Sequence, residues 1–144
     1  MKTLKTTILA LLIVVSFGAA KADTIYNNND DRMSVNYAVN TYVSAISRGH
    51  VKELNNLLDE NLKYSIERGK KTLVFNKAEY LESLKADQGV EQDCLVTTTV
   101  NDTTPDVTIV KVDMKYADFT RTNYVTLTNS SKGWKVTNIY STFK

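Results

Sequence analysis

The 144 residues include one cysteine, Cys94, and one histidine, His50. A single cysteine excludes an intrachain disulfide. One cysteine and one histidine exclude a zinc site of the ordinary His/Cys kind within one chain. The main apolar run, Ile8 to Phe17, has ten residues, about half of what a membrane-spanning helix needs. Excess basic charge is missing too. The formal net charge is +2, but the first 22 residues carry Lys2, Lys5 and Lys21 and no acid. The remainder has 15 basic against 16 acidic residues, a net of −1. No basic field is left to hold a phosphate backbone, so nucleic acid is excluded as a partner. The chain also lacks a nucleophile elbow, a P-loop, a dinucleotide fingerprint and an EF-hand loop. What is present is 42% hydrophobic, 24% charged and 9% aromatic residues. That is the composition of a soluble globular protein.

The N-terminus reads as an export signal. Lys2 and Lys5 form a positive start, the ten-residue apolar run follows, and Ala20-Lys-Ala22 supplies the small-x-small pattern read by signal peptidase. Residues 1–22 are therefore expected to be cleaved after Ala22, giving a periplasmic or secreted protein with no membrane association afterwards. The alternative is an uncleaved anchor. Residues 23–32 (DTIYNNNDDR) read as a loose polar leader, and 33–144 as one domain.

Met33 to Ser47 repeats apolar residues at helical spacing, with Val35, Ala38, Val39, Tyr42, Val43 and Ile46 on one side. Ser34 is a candidate cap, and Gly49 a stop. Val51, Leu54, Leu57 and Leu58 suggest a second, short helix. Leu62 to Glu67 alternates as a strand, and Thr72 to Phe75 returns as another. Asn76 to Ala86 predicts a third helix, with Asn76 and Glu79 as a capping box and Ala78, Leu81 and Leu84 pointing inward. From Gln92 the period becomes two, and four long strands are expected, near 93–101, 107–117, 119–128 and 134–143. Short polar turns between threonine-rich strands predict an antiparallel meander. Helices first and strands later, without βαβ alternation, give an α+β fold.

Several local patterns carry a resemblance. They are Val39-Asn-Thr-Tyr42, Ser47-Arg-Gly-His50, Lys77-Ala-Glu-Tyr-Leu81, Ala117-Asp-Phe119, Tyr124-Val-Thr-Leu127, and Lys132-Gly-Trp-Lys-Val136 with Asn138. In this order, over Met33 to Phe143, the chain resembles the NTF2-like (SnoaL-like, cystatin-like) superfamily. Within it the chain is most similar to the bacterial group labelled putative lumazine-binding. The resemblance implies a cone with three N-terminal helices packed on a curved, mainly antiparallel sheet. It also implies an internal pocket and homodimerisation through the outer sheet face. It does not imply an activity, since the superfamily holds enzymes and non-enzymes alike.

Enzymes of that superfamily place an Asp or His base inside the cone. Asp113 shares a strand face with Lys111 and Lys115 and reads as facing solvent or a dimer partner. His50 reads as a residue of the helix junction, and Asp118 as a surface residue. No catalytic residue, metal ligand or cofactor site is assigned. Cys94 lacks a basic neighbour in sequence and reads as a buried or half-buried thiol, the alternative being an intermolecular bridge or a reactive thiol. Polar residues on apolar faces are more informative. Arg121 and Asn123 share the face of Phe119, Val125 and Leu127. Asn138 and Tyr140 are expected on the face of Trp134 and Val136. Tyr42 and Tyr64 lie on apolar stripes. Buried polar groups need partners, and an apolar pocket with a few convergent polar groups is the usual small-molecule site. These six residues form the candidate pocket. The leading expectation is an exported domain that binds a small, partly apolar molecule without turnover. The alternatives are an isomerase, dehydratase or hydrolase of the same fold, and a dimeric interaction module whose cone is filled by its own side chains.

Overall fold

The computed structural model describes residues 34–144. The export signal expected at 1–22 and the leader expected at 23–32 lie outside the described residues.

Helix α1 (Val35–Arg48) starts where expected, because Ser34 is extended and its hydroxyl accepts the Tyr37 N–H at 3.1 Å. That bond satisfies one of the donors a helix start leaves free. It ends at Gly49, whose φ of +69° is left-handed. A Cβ at Gly49 would lie 2.3 Å from the Asp87 carbonyl oxygen, so only glycine fits. The close approach has a purpose: Gly49 accepts the Gly89 N–H, and Ser47 accepts the Gln92 N–H at 2.7 Å. These bonds tie the end of α1 to the segment leading into the large sheet.

The expected second helix is a single turn, α2 (Leu54–Leu57). An isolated turn gains too few hydrogen bonds to propagate. Leu58 enters strand β1 (Leu58–Arg68) directly and pairs with Val136. Strand β2 (Lys71–Phe75) completes a hairpin, and α3 (Lys77–Leu84) follows. Only α1 is a full-length helix at the N-terminal side, and α3 comes after the hairpin. The expectation of three N-terminal helices is corrected accordingly. The capping box at Asn76 and Glu79 is present in both directions. The buried side of α3 is carried by Tyr80 and Leu84, whereas Ala78 is exposed and Leu81 half-buried. The Tyr80 ring sits 4.5 Å from that of Tyr64. An aromatic ring buries far more area than alanine, so the Tyr80/Leu84 pair sets the rotation of the helix.

Strands β3 (Leu95–Thr103), β4 (Val107–Lys115), β5 (Thr120–Ser130) and β6 (Gly133–Phe143) form the antiparallel meander. The six-stranded sheet has the order β2-β1-β6-β5-β4-β3, with β1 and β6 parallel and all other pairs antiparallel. Cross-strand partners show which residues share a face. One row of the inner face runs Val110, Val125, Ile139, Tyr64 and Phe75. The next runs Val112, Asn123, Ser141 and Ile66. The last contains Met114, Arg121 and Phe143. Helices α1 and α3 supply Ala38, Tyr42, Ile46, Tyr80 and Leu84 to the core that these rows bury. Among the described residues, no helix is long and apolar enough to cross a membrane.

Candidate functional site

Tyr42, Tyr64, Arg121 and Asn123 are brought together on the inner side of the sheet, and Tyr80 joins them. Tyr42 and Tyr80 are each 1% exposed; their hydroxyls lie close enough to influence one another, but neither has a partner in good hydrogen-bond geometry. Burial is the first cause of their shifted ionisation, with Tyr42 pushed well above the ordinary phenol value and Tyr80 pushed up to about 12. Both are therefore neutral phenols at any physiological pH.

Arg121 is the positive charge of the cluster. Its Nε donates to Asn123 Oδ1 at 3.1 Å. Among the described residues the ion pairs are Lys77–Glu60, Lys85–Glu82 and Lys111–Asp113, so Arg121 has no carboxylate partner. Burial works against its charge. The surrounding tyrosines, Tyr42 first, favour the charge and raise its pKa above the ordinary value, an effect that develops only where they ionise. Asn123 is fully buried and anchors the guanidinium, with Oδ1 also accepting from Ser141 Oγ. Beside this cluster, Tyr116 stacks on Phe119 at 4.5 Å, and Phe119 lies 6.2 Å from Phe143. Phe119 and Phe143 are exposed at 43% and 45%.

Asn138 and Tyr140 are not part of this cluster. The β5–β6 register shifts between Thr126 and Leu127, so that Leu127 faces Val136 and Thr126 faces Asn138. The extra residue, Thr137, is a β-bulge, and a bulge of one residue reverses the faces beyond it. Tyr140 consequently faces outward beside Tyr124 and donates to Glu67, while Ile139 and Ser141 take the inner positions. The inner-face placement expected for Asn138 and Tyr140 is thus corrected. Tyr80 and Ser141 were missed for related reasons. Tyr80 lies off the Ala78/Leu81/Leu84 stripe, although its i,i+4 spacing from Leu84 was available as a signal. Ser141 is reached only once the bulge is known.

The acid–base residues considered for catalysis lie elsewhere. Asp113 is on the outer face, where it accepts from Thr122 Oγ1 at 2.6 Å and pairs with Lys111 at 3.0 Å. Burial raises its pKa, but Thr122 and Lys111 outweigh it and hold the carboxyl below its ordinary value. His50 Nδ1 lies 2.8 Å from Ser44 Oγ at the end of α1. That pair borders a surface cleft of about 630 Å³, which is also lined by Tyr37, Thr41 and Glu53. Four further clefts lie along α1, α2 and α3, and none of the five is lined by Tyr42, Tyr64, Tyr80, Arg121 or Asn123. Cys94 is half-buried, and burial raises its thiol pKa. No group of three or more metal-ligating side chains occurs among the described residues.

Comparison with known proteins adds a family. The model of the family described as "Putative lumazine-binding" matches residues 30–141. No curated protein matches the chain. Solved structures share its fold at low identity. An NTF2-like protein of unknown function from Silicibacter pomeroyi is 14% identical, with a TM-score of 0.65 over 83% of this chain and 100% of that one. One from Methylobacillus flagellatus, also of unknown function, is 13% identical, with a TM-score of 0.61 over 84% and 96%. An NTF2-like protein from Cytophaga hutchinsonii is 17% identical, with a TM-score of 0.59 over 73% and 91%. Likeness at this identity speaks for the fold alone. The family match covers most of the chain, and with it the chain belongs to the "Putative lumazine-binding" family, built on the NTF2-like α+β fold.

Proposed function

We propose that this protein is an exported binding domain that holds a small, partly apolar molecule in the interior of its cone, without turning it over. The observation that carries the reading is the pair of enclosed phenols, Tyr42 and Tyr80, unpartnered beside a guanidinium that has no counter-charge. Leaving such hydroxyls unpaired costs on the order of 1–3 kcal/mol each. A bound molecule would return that cost as affinity. The absence of turnover is supported by where the residues weighed as bases lie: His50 at the end of α1 and Asp113 on the outer face. The family's description points to ligand binding in general terms, and we do not extend it to lumazine for this chain.

A second reading has its own support. The five clefts do not reach the cluster, as expected of a cone filled by its own side chains and working as a dimeric module. Native mass spectrometry of the protein purified from its own host separates the two. A homodimer carrying a reproducible small adduct supports the binding reading. A homodimer of bare mass, obtained repeatedly under gentle conditions, favours the filled cone.

A further inference from the structure

The polar groups around Arg121 are unbalanced. A guanidinium offers five N–H donors, and here Nε alone is engaged, by Asn123. The Asn123 oxygen that accepts it is already shared with Ser141. Tyr42 and Tyr80 add two hydroxyls without partners. The cluster therefore has donors to spare and no negative charge to receive them. One phenol could donate to the other, and a donor would still remain. A neutral carbonyl would engage one or two of these donors and leave the cation uncompensated. A carboxylate presents two oxygens with about four acceptor positions. Two of those match the guanidinium fork, and two the phenols.

The surroundings limit the rest of the molecule. Arg121 shares its inner-face row with Met114 and Phe143. The stacked rings of Tyr116 and Phe119 continue this apolar surface toward solvent, where Phe119 and Phe143 are exposed. We propose that Arg121, Tyr42 and Tyr80 form the anion end of an interior site for a small aromatic or otherwise apolar monocarboxylic acid, whose apolar body lies on Phe119, Phe143 and Tyr116. The proposal rests on the binding reading above and narrows it to one chemical class. A single cation sets the charge at one, which favours a carboxylate over a phosphate dianion. The neutral, high-pKa state of both phenols keeps them as donors throughout the physiological range.

The test is calorimetric titration of the purified, ligand-stripped protein with benzoate, phenylacetate, benzamide and inorganic phosphate. Benzoate or phenylacetate is expected to bind, with benzamide at least tenfold weaker and phosphate weaker than either acid. Arg121→Met should weaken the acid at least tenfold and benzamide by a clearly smaller factor. Tyr80→Phe should weaken it several-fold and at the same time raise the melting temperature of the unliganded protein, a combination that a purely structural tyrosine would not give. Should Arg121→Met fail to fold, the Tyr80→Phe comparison still decides. Equal affinity for benzoate and benzamide, or phosphate binding tighter than both acids, overturns the carboxylate class. So does the absence of binding by all four probes. In each of these cases an adduct carried from the host would leave the binding reading standing, so the two failures are distinguishable.

Discussion

Replacing Tyr80 by phenylalanine removes one oxygen from a fully enclosed position and keeps the ring that packs against Tyr64. The tilted ring contact with Tyr64 at 4.5 Å and the burial of the side chain are preserved, so no cavity penalty arises. What is lost is an unpartnered hydroxyl, whose burial costs about 1–3 kcal/mol. The substitution should therefore stabilise the unliganded protein by about 1 kcal/mol or more. For a domain of this size that is a rise of roughly 3–6 °C in melting temperature, read by circular dichroism on ligand-stripped protein. The alkaline limb of stability carries a second signature. The folded pKa of Tyr80, about 12, lies above the ordinary 10.0. Its contribution is thus complete below about pH 10 and is lost as the pH rises toward 12. Tyr80→Phe should flatten stability over that window. A fall in melting temperature of similar size would refute the reasoning, because it would mean that the hydroxyl is satisfied in the folded protein.

Other substitutions test the frame around the site. Gly49→Ala combines a left-handed φ with a Cβ 2.3 Å from the Asp87 carbonyl oxygen. It should cost about 2 kcal/mol or more in chemical denaturation, whereas a loss below 0.5 kcal/mol would contradict the close approach. Asn76→Ala removes half of the α3 capping box and should cost about 1 kcal/mol, measured in the same way. Asp113 is held below its ordinary 3.8, so its contribution is present above that pH and lost as the pH falls through the folded value. Asp113→Asn should therefore reduce the slope of stability below about pH 4. Cys94, with its pKa raised by burial, should alkylate with iodoacetamide at pH 7 more slowly than a cysteine in an unfolded peptide.

Much of the fold was legible because the deciding signals are local. Ser34, Gly49 and the Asn76/Glu79 pair mark helix ends through their own side chains or backbone, and each does so in the structure. The β4 and β5 faces follow plain alternation, which placed Arg121 with Asn123 on an apolar face, and the structure sets them inward opposite Met114 and Val112. Alternation failed where the tertiary structure inserted a residue. The bulge at Thr137 leaves no mark in the sequence of β6, which has no glycine or proline there, yet it exchanges Asn138 and Tyr140 for Ile139 and Ser141. The second helix failed for a similar reason. Leu57 and Leu58 fit a helical stripe, but pairing with β6 draws Leu58 into a strand. The candidate site was half visible. Arg121 and Asn123 stood out as polar groups on an apolar face, whereas Tyr80 looked like an ordinary residue of a short helix until its ring met Tyr64.

A crystal structure of the protein purified from its own host tests the central claim most directly, since it locates any carried molecule rather than only weighing it. The expected result is electron density beyond the protein side chains, with an acceptor group within hydrogen-bond distance of the Arg121 guanidinium and of the Tyr42 and Tyr80 hydroxyls. A cone closed by its own side chains, with those hydroxyls bonded to each other or to water and nothing else beside Arg121, would contradict it.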